Sequence, residues 1–181
     1  MLTWFLRRRV AAFERAYDYD ASYLRDIIDA DPRAAMIFNG ITPLSRYCRD
    51  LPKEAWRAAG IAASMAEDCG PCTQLGVRMA EEAGVEPKIL EAIVAGRIAA
   101  MPADAALGYR FAQAVLRHDP EADGLRNEIV ARWGQRALVS LAFGVTAARL
   151  YPTVKYALGH GRACVRVRIG GKDLGVERQA A

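Results

Sequence analysis

Only four cysteines stand in 181 residues, too few to staple a small secreted scaffold. Glycine (15) and proline (8) are also sparse, which excludes collagen-like and linker compositions. Aromatic residues make up 8%, while alanine is abundant, so helices that meet through small side chains are expected. Neither charge dominates: 25 Lys and Arg against 21 Asp and Glu leave a net charge of +4. With 52% apolar residues, disorder as the main state is excluded. The length suffices for one hydrophobic core and an arm.

The small basic excess, with a pI of 9.0, gathers at the two ends. Arg7, Arg8 and Arg9 form one run; Arg162, Arg166, Arg168, Lys172 and Arg178 stud the tail. No aromatic residues interleave with the tail charges to make a stacking platform, so they read as solvated and no nucleic-acid partner is expected. The longest apolar stretch, 137–148, is interrupted by Ser140 and Thr146. It falls short of the ~20 residues a bilayer needs and reads as a buried core helix, with no membrane partner. Met1 to Leu6 precede the arginines, the reverse of a secretory signal's order. A cytoplasmic, reducing location is the expectation, and there a cysteine pair points to catalysis or metal binding.

The apolar pattern is helical almost throughout. Helices are expected over 2–17 and 20–30, then from Asp31-Pro32 to Asn39-Gly40, with a short piece from Thr42-Pro43 to Cys48. Leu51-Pro52 is the clearest seam and closes an N-terminal helical arm, 1–50. A helical domain over 51–160 follows. Its helices run over 53–67 and from Cys69 to Ala83, where Gly84 is a stop. Glu86-Pro87, Met101-Pro102 and Asp119-Pro120 open three more, ending near Ala99, Arg117 and Trp133. The last runs over 136–158, with Pro152 expected to kink or divide it. The tail, 161–181, alternates with period two from Cys164 to Ile169. It is expected to be extended and paired between subunits, since a strand without a partner is marginal.

One segment is chemically loaded: Glu67-Asp68-Cys69-Gly70-Pro71-Cys72-Thr73-Gln74. Residues i and i+3 of a helix lie about 5–6 Å apart, within the Cα separation of a disulfide. At a helix start the unpaired N–H groups favour a thiolate, while Glu67 and Asp68 oppose it. The 3.6-residue period puts Cys72 on the apolar face with Leu75, Gly76, Met79, Ala80 and Ala83; Cys69, at the helix end, is expected to meet solvent. A zinc site needs four ligands. Cys48, Cys164, His118 and His160 are dispersed along the chain, so no metal is expected.

These residues resemble the alkyl hydroperoxidase D-like group of the carboxymuconolactone decarboxylase superfamily over residues 51–158. The likeness rests on a helix, a C-x-x-C opening the next, Ala83-Gly84-Val85, Glu86-Pro87, short helices and a long alanine-rich helix. Thioredoxins share the Cys69-Gly70-Pro71-Cys72 string but need β-strands around it, which are not readable here. The resemblance implies an all-α helical bundle and a homo-oligomer. It implies thiol–disulfide exchange or peroxide reduction without cofactor, metal or flavin. A thiolate attacks the peroxide, becomes a sulfenic acid and is resolved by its partner cysteine. The partners implied are a peroxide or disulfide substrate and a thiol protein or dithiol donor as reductant.

Both cysteines match the family pattern; its proton relay does not. The family's Glu slot, twelve residues before the first cysteine, holds Arg57. Its His slot, four after the second, holds Gly76, and Pro71 replaces a His or Tyr. Arg57 cannot accept a proton but can stabilise a thiolate. Asp68 offers a base or a helix cap, and Gln74 a hydrogen bond to a ligand or neighbouring chain. Cys69 and Cys72 are the expected redox pair, with the attacking member open. Two other readings stand beside it: a non-enzymatic redox-sensing or interaction module, and, on the superfamily name alone, a lactone decarboxylase-like enzyme.

Overall fold

The computed structural model describes residues 1–162 and 166–175, Arg166 by its backbone alone. Among these are nine α-helices and one two-stranded hairpin, an all-α fold. The arm holds α1 (Leu2–Tyr17), α2 (Ser22–Ala30) and α3 (Pro32–Asn39), then a 3-10 turn, Leu44–Arg46. The bundle holds α4 (Lys53–Ala66), α5 (Gly70–Glu82), α6 (Pro87–Val94), α7 (Ala103–Arg117), α8 (Glu121–Trp133) and α9 (Gln135–Ala157).

Local chemistry sets most boundaries. Pro32 opens α3 behind Asp31, whose carboxylate accepts the Arg33 N–H at 2.8 Å, a side-chain cap. After α5, Gly84 takes φ 74°, where a side chain would be strained. The sixth helix stops at Val94, short of Ala99, because the chain turns at Gly96 (φ 64°) into a 3-10 turn, Ile98–Ala100. The ninth is not divided at Pro152, which is buried inside one continuous helix.

The core is assembled around α4, which packs on α7, α9 and α5. Its inward face is nearly all alanine: Ala55, Ala58, Ala59, Ala62 and Ala63, with Ile61. Such a face lets backbones approach closely. At Gly108 of α7, an added Cβ would stand 2.2 Å from the Ala55 carbonyl oxygen. Larger side chains, among them Leu90, Ile93, Tyr109, Phe111, Ile129 and Leu141, fill the rest. A second apolar cluster, Tyr19, Ala21 and Tyr23, lies in the arm and rests on Leu75 of α5 and Val154 of α9.

The tail differs from expectation. Its strand β1 (Arg166–Ile169) pairs antiparallel with β2 (Lys172–Gly175) of the same chain across Gly170-Gly171, so β1 has a local partner. Val167 and Ile169 are buried in the bundle core. Cys164 and Arg178 lie outside the described residues. The apolar α9 also differs from a wholly buried core helix. By length and composition it could cross a membrane, with a mean hydropathy of 1.3 over its most apolar stretch, of which 33% is buried.

Replacing Gly108 with Ala drives a methyl group into the α4 backbone. Overpacking of this kind costs about 1–3 kcal/mol, and a lowered Tm of roughly 2–10 °C is expected. Thermal unfolding followed by circular dichroism checks it; an unchanged Tm would contradict the close α4–α7 approach.

Candidate redox site

The α4–α5 turn places the two cysteines. Asp68 takes the left-handed conformation (φ 48°), Cys69 is extended, and α5 starts at Gly70 with Pro71 in its first turn. Pro71 loses nothing there, since a first-turn N–H has no partner within the helix. Cys69 and Cys72 form a disulfide, with Cα atoms 5.3 Å apart. The turn is pinned from several sides. The Thr73 N–H and hydroxyl both donate to the Cys69 carbonyl, at 2.9 and 3.0 Å. The Gly70 N–H donates to the Arg162 carbonyl at 3.0 Å, and the Tyr156 hydroxyl to the Asp68 carbonyl at 3.0 Å.

Burial reverses the expected order of the two sulfurs. Cys69 is 0% exposed and Cys72 is 8% exposed, because the segment after α9 closes over the start of α5. The buried face of α5 runs through Cys72, Thr73, Val77 and Ala80. Leu75 and Met79, expected inside, are half-buried, and Leu75 instead supports the arm.

Above Cys72 sits a polar group unforeseen in the sequence reading. The Tyr19 hydroxyl lies 3.9 Å from the Cys72 sulfur. The Lys155 ammonium donates to that hydroxyl at 3.3 Å and to the Asp20 carbonyl at 3.2 Å. It also faces the rings of Tyr19 and Tyr23, 4.5 and 5.3 Å from their centroids, a favourable place for a cation. Lys155 is 1% exposed. Burial lowers its pKa, against the opposing pull of Asp20. Burial pushes the Tyr19 hydroxyl up to about 12, while a hydrogen bond with Tyr23 works the other way. Tyr19 therefore remains a hydroxyl at neutral pH and can donate to a sulfur anion. The available signal was a lone lysine in α9, together with tyrosines at 19 and 23.

The other candidates lie as follows. Asp68 does not occupy the N-cap of α5: Cys69 does, without a side-chain cap bond. Arg57 faces the Trp56 ring at 4.7 Å, and its charge acts on Cys48, Glu82 and Tyr17. Burial lowers its pKa. Gln74 grips the hairpin of its own chain: its Nε2 donates to the Arg168 carbonyl at 3.0 Å, and its Oε1 accepts the Arg168 N–H at 2.7 Å. His160 bridges to α2, with Nδ1 2.9 Å from the Ser22 hydroxyl and Nε2 2.6 Å from Asp26. Among the described residues no group of three or more His, Cys, Asp or Glu could hold a metal ion.

Compared with protein-family models, curated proteins and solved structures, the chain has no match.

The Tyr19 shift has a stability consequence. A folded pKa near 12 against an ordinary value of 10 means that the folded state holds its proton more tightly. That stability is complete below about pH 10 and is lost as pH rises towards 12. Tyr19→Phe should be less stable than the wild type at about pH 9 and close to it at about pH 11.5. Denaturant midpoints at both pH values check this; a gap that widens with pH would contradict it.

Proposed function

We propose that the chain is a cofactor-free thiol–disulfide oxidoreductase of the alkyl hydroperoxidase D-like kind, acting through Cys69 and Cys72. The observation that carries this reading is the Cys69–Cys72 pair on the first turn of α5, with the Tyr19 hydroxyl against Cys72 and Lys155 behind it. In the reduced protein, Cys72 is the attacking thiolate, since it is the less buried sulfur and the one beside Tyr19. Its sulfur attacks the outer oxygen of a hydroperoxide. The O–O bond breaks, the alkoxide leaves and takes a proton as alcohol, and Cys72 becomes a sulfenic acid. Cys69 then attacks that sulfur, water leaves, and the disulfide closes. An external dithiol returns both cysteines to the reduced state.

In this reading Tyr19 and Lys155 do the work of the family's proton relay, which Arg57 and Gly76 do not supply. Tyr19 donates to the Cys72 thiolate, and the Lys155 cation holds the tyrosine's own oxygen, which makes it a stronger donor. Lys155 is a positioning residue in this scheme. Assembly into a homo-oligomer belongs to the same reading, and the exposed Trp4 and Phe5 of α1 are apolar surface available for it.

A second reading is favoured by the burial of both sulfurs. As a redox-sensing module, the pair would oxidise slowly and report its state through the segments that cover it.

One equivalent of an organic hydroperoxide added to the reduced protein should remove two hydrogens at Cys69–Cys72, seen by intact mass and peptide mapping. Tyr19→Phe should slow this by about 10- to 100-fold and raise the apparent pKa of the rate. Oxidation that takes hours, or turnover that persists when both cysteines are Ser, would overturn the enzymatic reading.

A further inference from the structure

A cleft of about 710 Å³ opens beside the arm, away from the disulfide's lining. Arg9 of α1 faces it from one side. Thr42, Arg46, Tyr47, Cys48 and Arg49 face it from the loop between α3 and α4. Among the described residues no acidic side chain lines it. Its volume falls in the range of small-molecule sites, which run from about 300 to 1,000 Å³.

The charged residues that line the cleft are all arginines. Of the arginines near the arm, Arg7 pairs with Asp29, Arg25 with Glu14, and Arg78 with Asp18. Arg9, Arg46 and Arg49 form no ion pair among the described residues. The carboxylate next in sequence, Asp50, is taken by Arg136 at 2.6 Å. Three arginines therefore line one concavity, with no counter-charge among the described residues. Each offers a planar fork suited to two oxygens of a phosphate or carboxylate.

The loop carrying two of them is also held in place. The Ser45 hydroxyl donates to the Thr42 carbonyl at 2.8 Å. The Arg49 N–H donates to the hydroxyl of buried Ser140 on α9 at 2.9 Å. Tyr47 meets Phe143 edge-on, with centroids 5.7 Å apart. A site fixed before binding loses less entropy when it is filled. Cys48 lies half-buried in the wall. Burial raises its thiol pKa, while the charges of Arg57 and Arg49 pull it down.

We propose that this cleft is a binding site for a small polyanion, a phosphate-bearing or polycarboxylate molecule, gripped by Arg9, Arg46 and Arg49. The proposal is independent of the redox reading, since none of its residues belongs to the Cys69–Cys72 site. Cys48 supplies the readout. In the oxidised wild-type protein, Cys48 is labelled with N-ethylmaleimide, a neutral reagent, and the rate is mapped by peptide digestion. Pyrophosphate and citrate are added in separate arms, with sodium chloride at matched ionic strength as the control.

Labelling of Cys48 should slow by about tenfold with a saturating anion and stay unchanged with chloride, because the guanidinium forks bind oxyanions far better than a screening salt. Protection by pyrophosphate alone assigns the site to phosphates, by citrate alone to polycarboxylates, and by both to either class. Calorimetric affinity should fall by about tenfold for each of Arg46→Gln and Arg49→Gln, the weight of one charged hydrogen bond. Labelling that neither anion slows, or slows no more than chloride does, overturns the proposal. So does an undiminished affinity in a folded Arg46→Gln/Arg49→Gln protein. The wild-type measurement stands without any variant.

Discussion

The ammonium of Lys155 has almost no access to water, and a buried charge must be met by polar groups or it is expelled. The groups that meet it come from the arm: the Tyr19 hydroxyl, the Asp20 carbonyl and two tyrosine rings. One cation on α9 therefore dictates where the α1–α2 connection must lie. That placement sets Tyr19 over Cys72, and it brings Asp20 within 3.7 Å of Arg162 and α2 against His160. Further ties run to α5, where the Tyr17 hydroxyl donates to Glu82 at 3.1 Å and Arg78 donates to the Tyr17 carbonyl. The arm is thus a roof over the Cys69–Cys72 disulfide, fastened to α5 and α9.

Under that roof the bundle follows a simpler rule. Small residues on α4 bring its neighbours close, and the larger aliphatic and aromatic side chains of α6, α7, α8 and α9 close the remaining space. Close packing of this kind fixes the α4–α5 turn firmly. The two cysteines then sit at the distance a disulfide needs, with no rearrangement of the backbone.

The helical elements were largely legible in the chain because their punctuation is local. Pro32, Pro87 and Pro102 stand at helix starts, and Gly84 and Gly134 stand at stops with positive φ. The bond between Cys69 and Cys72 was legible for the same reason, being set by three residues of helix. What covers the pair was not legible. Tyr19 and Lys155 are 136 residues apart, Gln74 and Arg168 are 94 apart, and helical periodicity carries no information across such spans. Exposure of Cys69 was misjudged on that account: a helix terminus is open only if nothing else in the chain crosses it. Pro152 does not divide α9 for a related reason, since the packed surroundings keep a proline inside a continuous helix.

The hairpin at the end of the described chain has a structural meaning its length does not suggest. Val167 and Ile169 are buried to about the same degree as Leu90 and Ile93 of α6. The hairpin is clasped by the Gln74 amide and by Glu81, whose carboxylate accepts the Gly170 N–H at 2.8 Å. A polypeptide that stopped before this segment would hold α1 to α9 and still lack part of its interior. The side of α5 and α6 that meets β1 is closed only when the strand pair arrives, so synthesis in chain order leaves it open to solvent until after α9 is made.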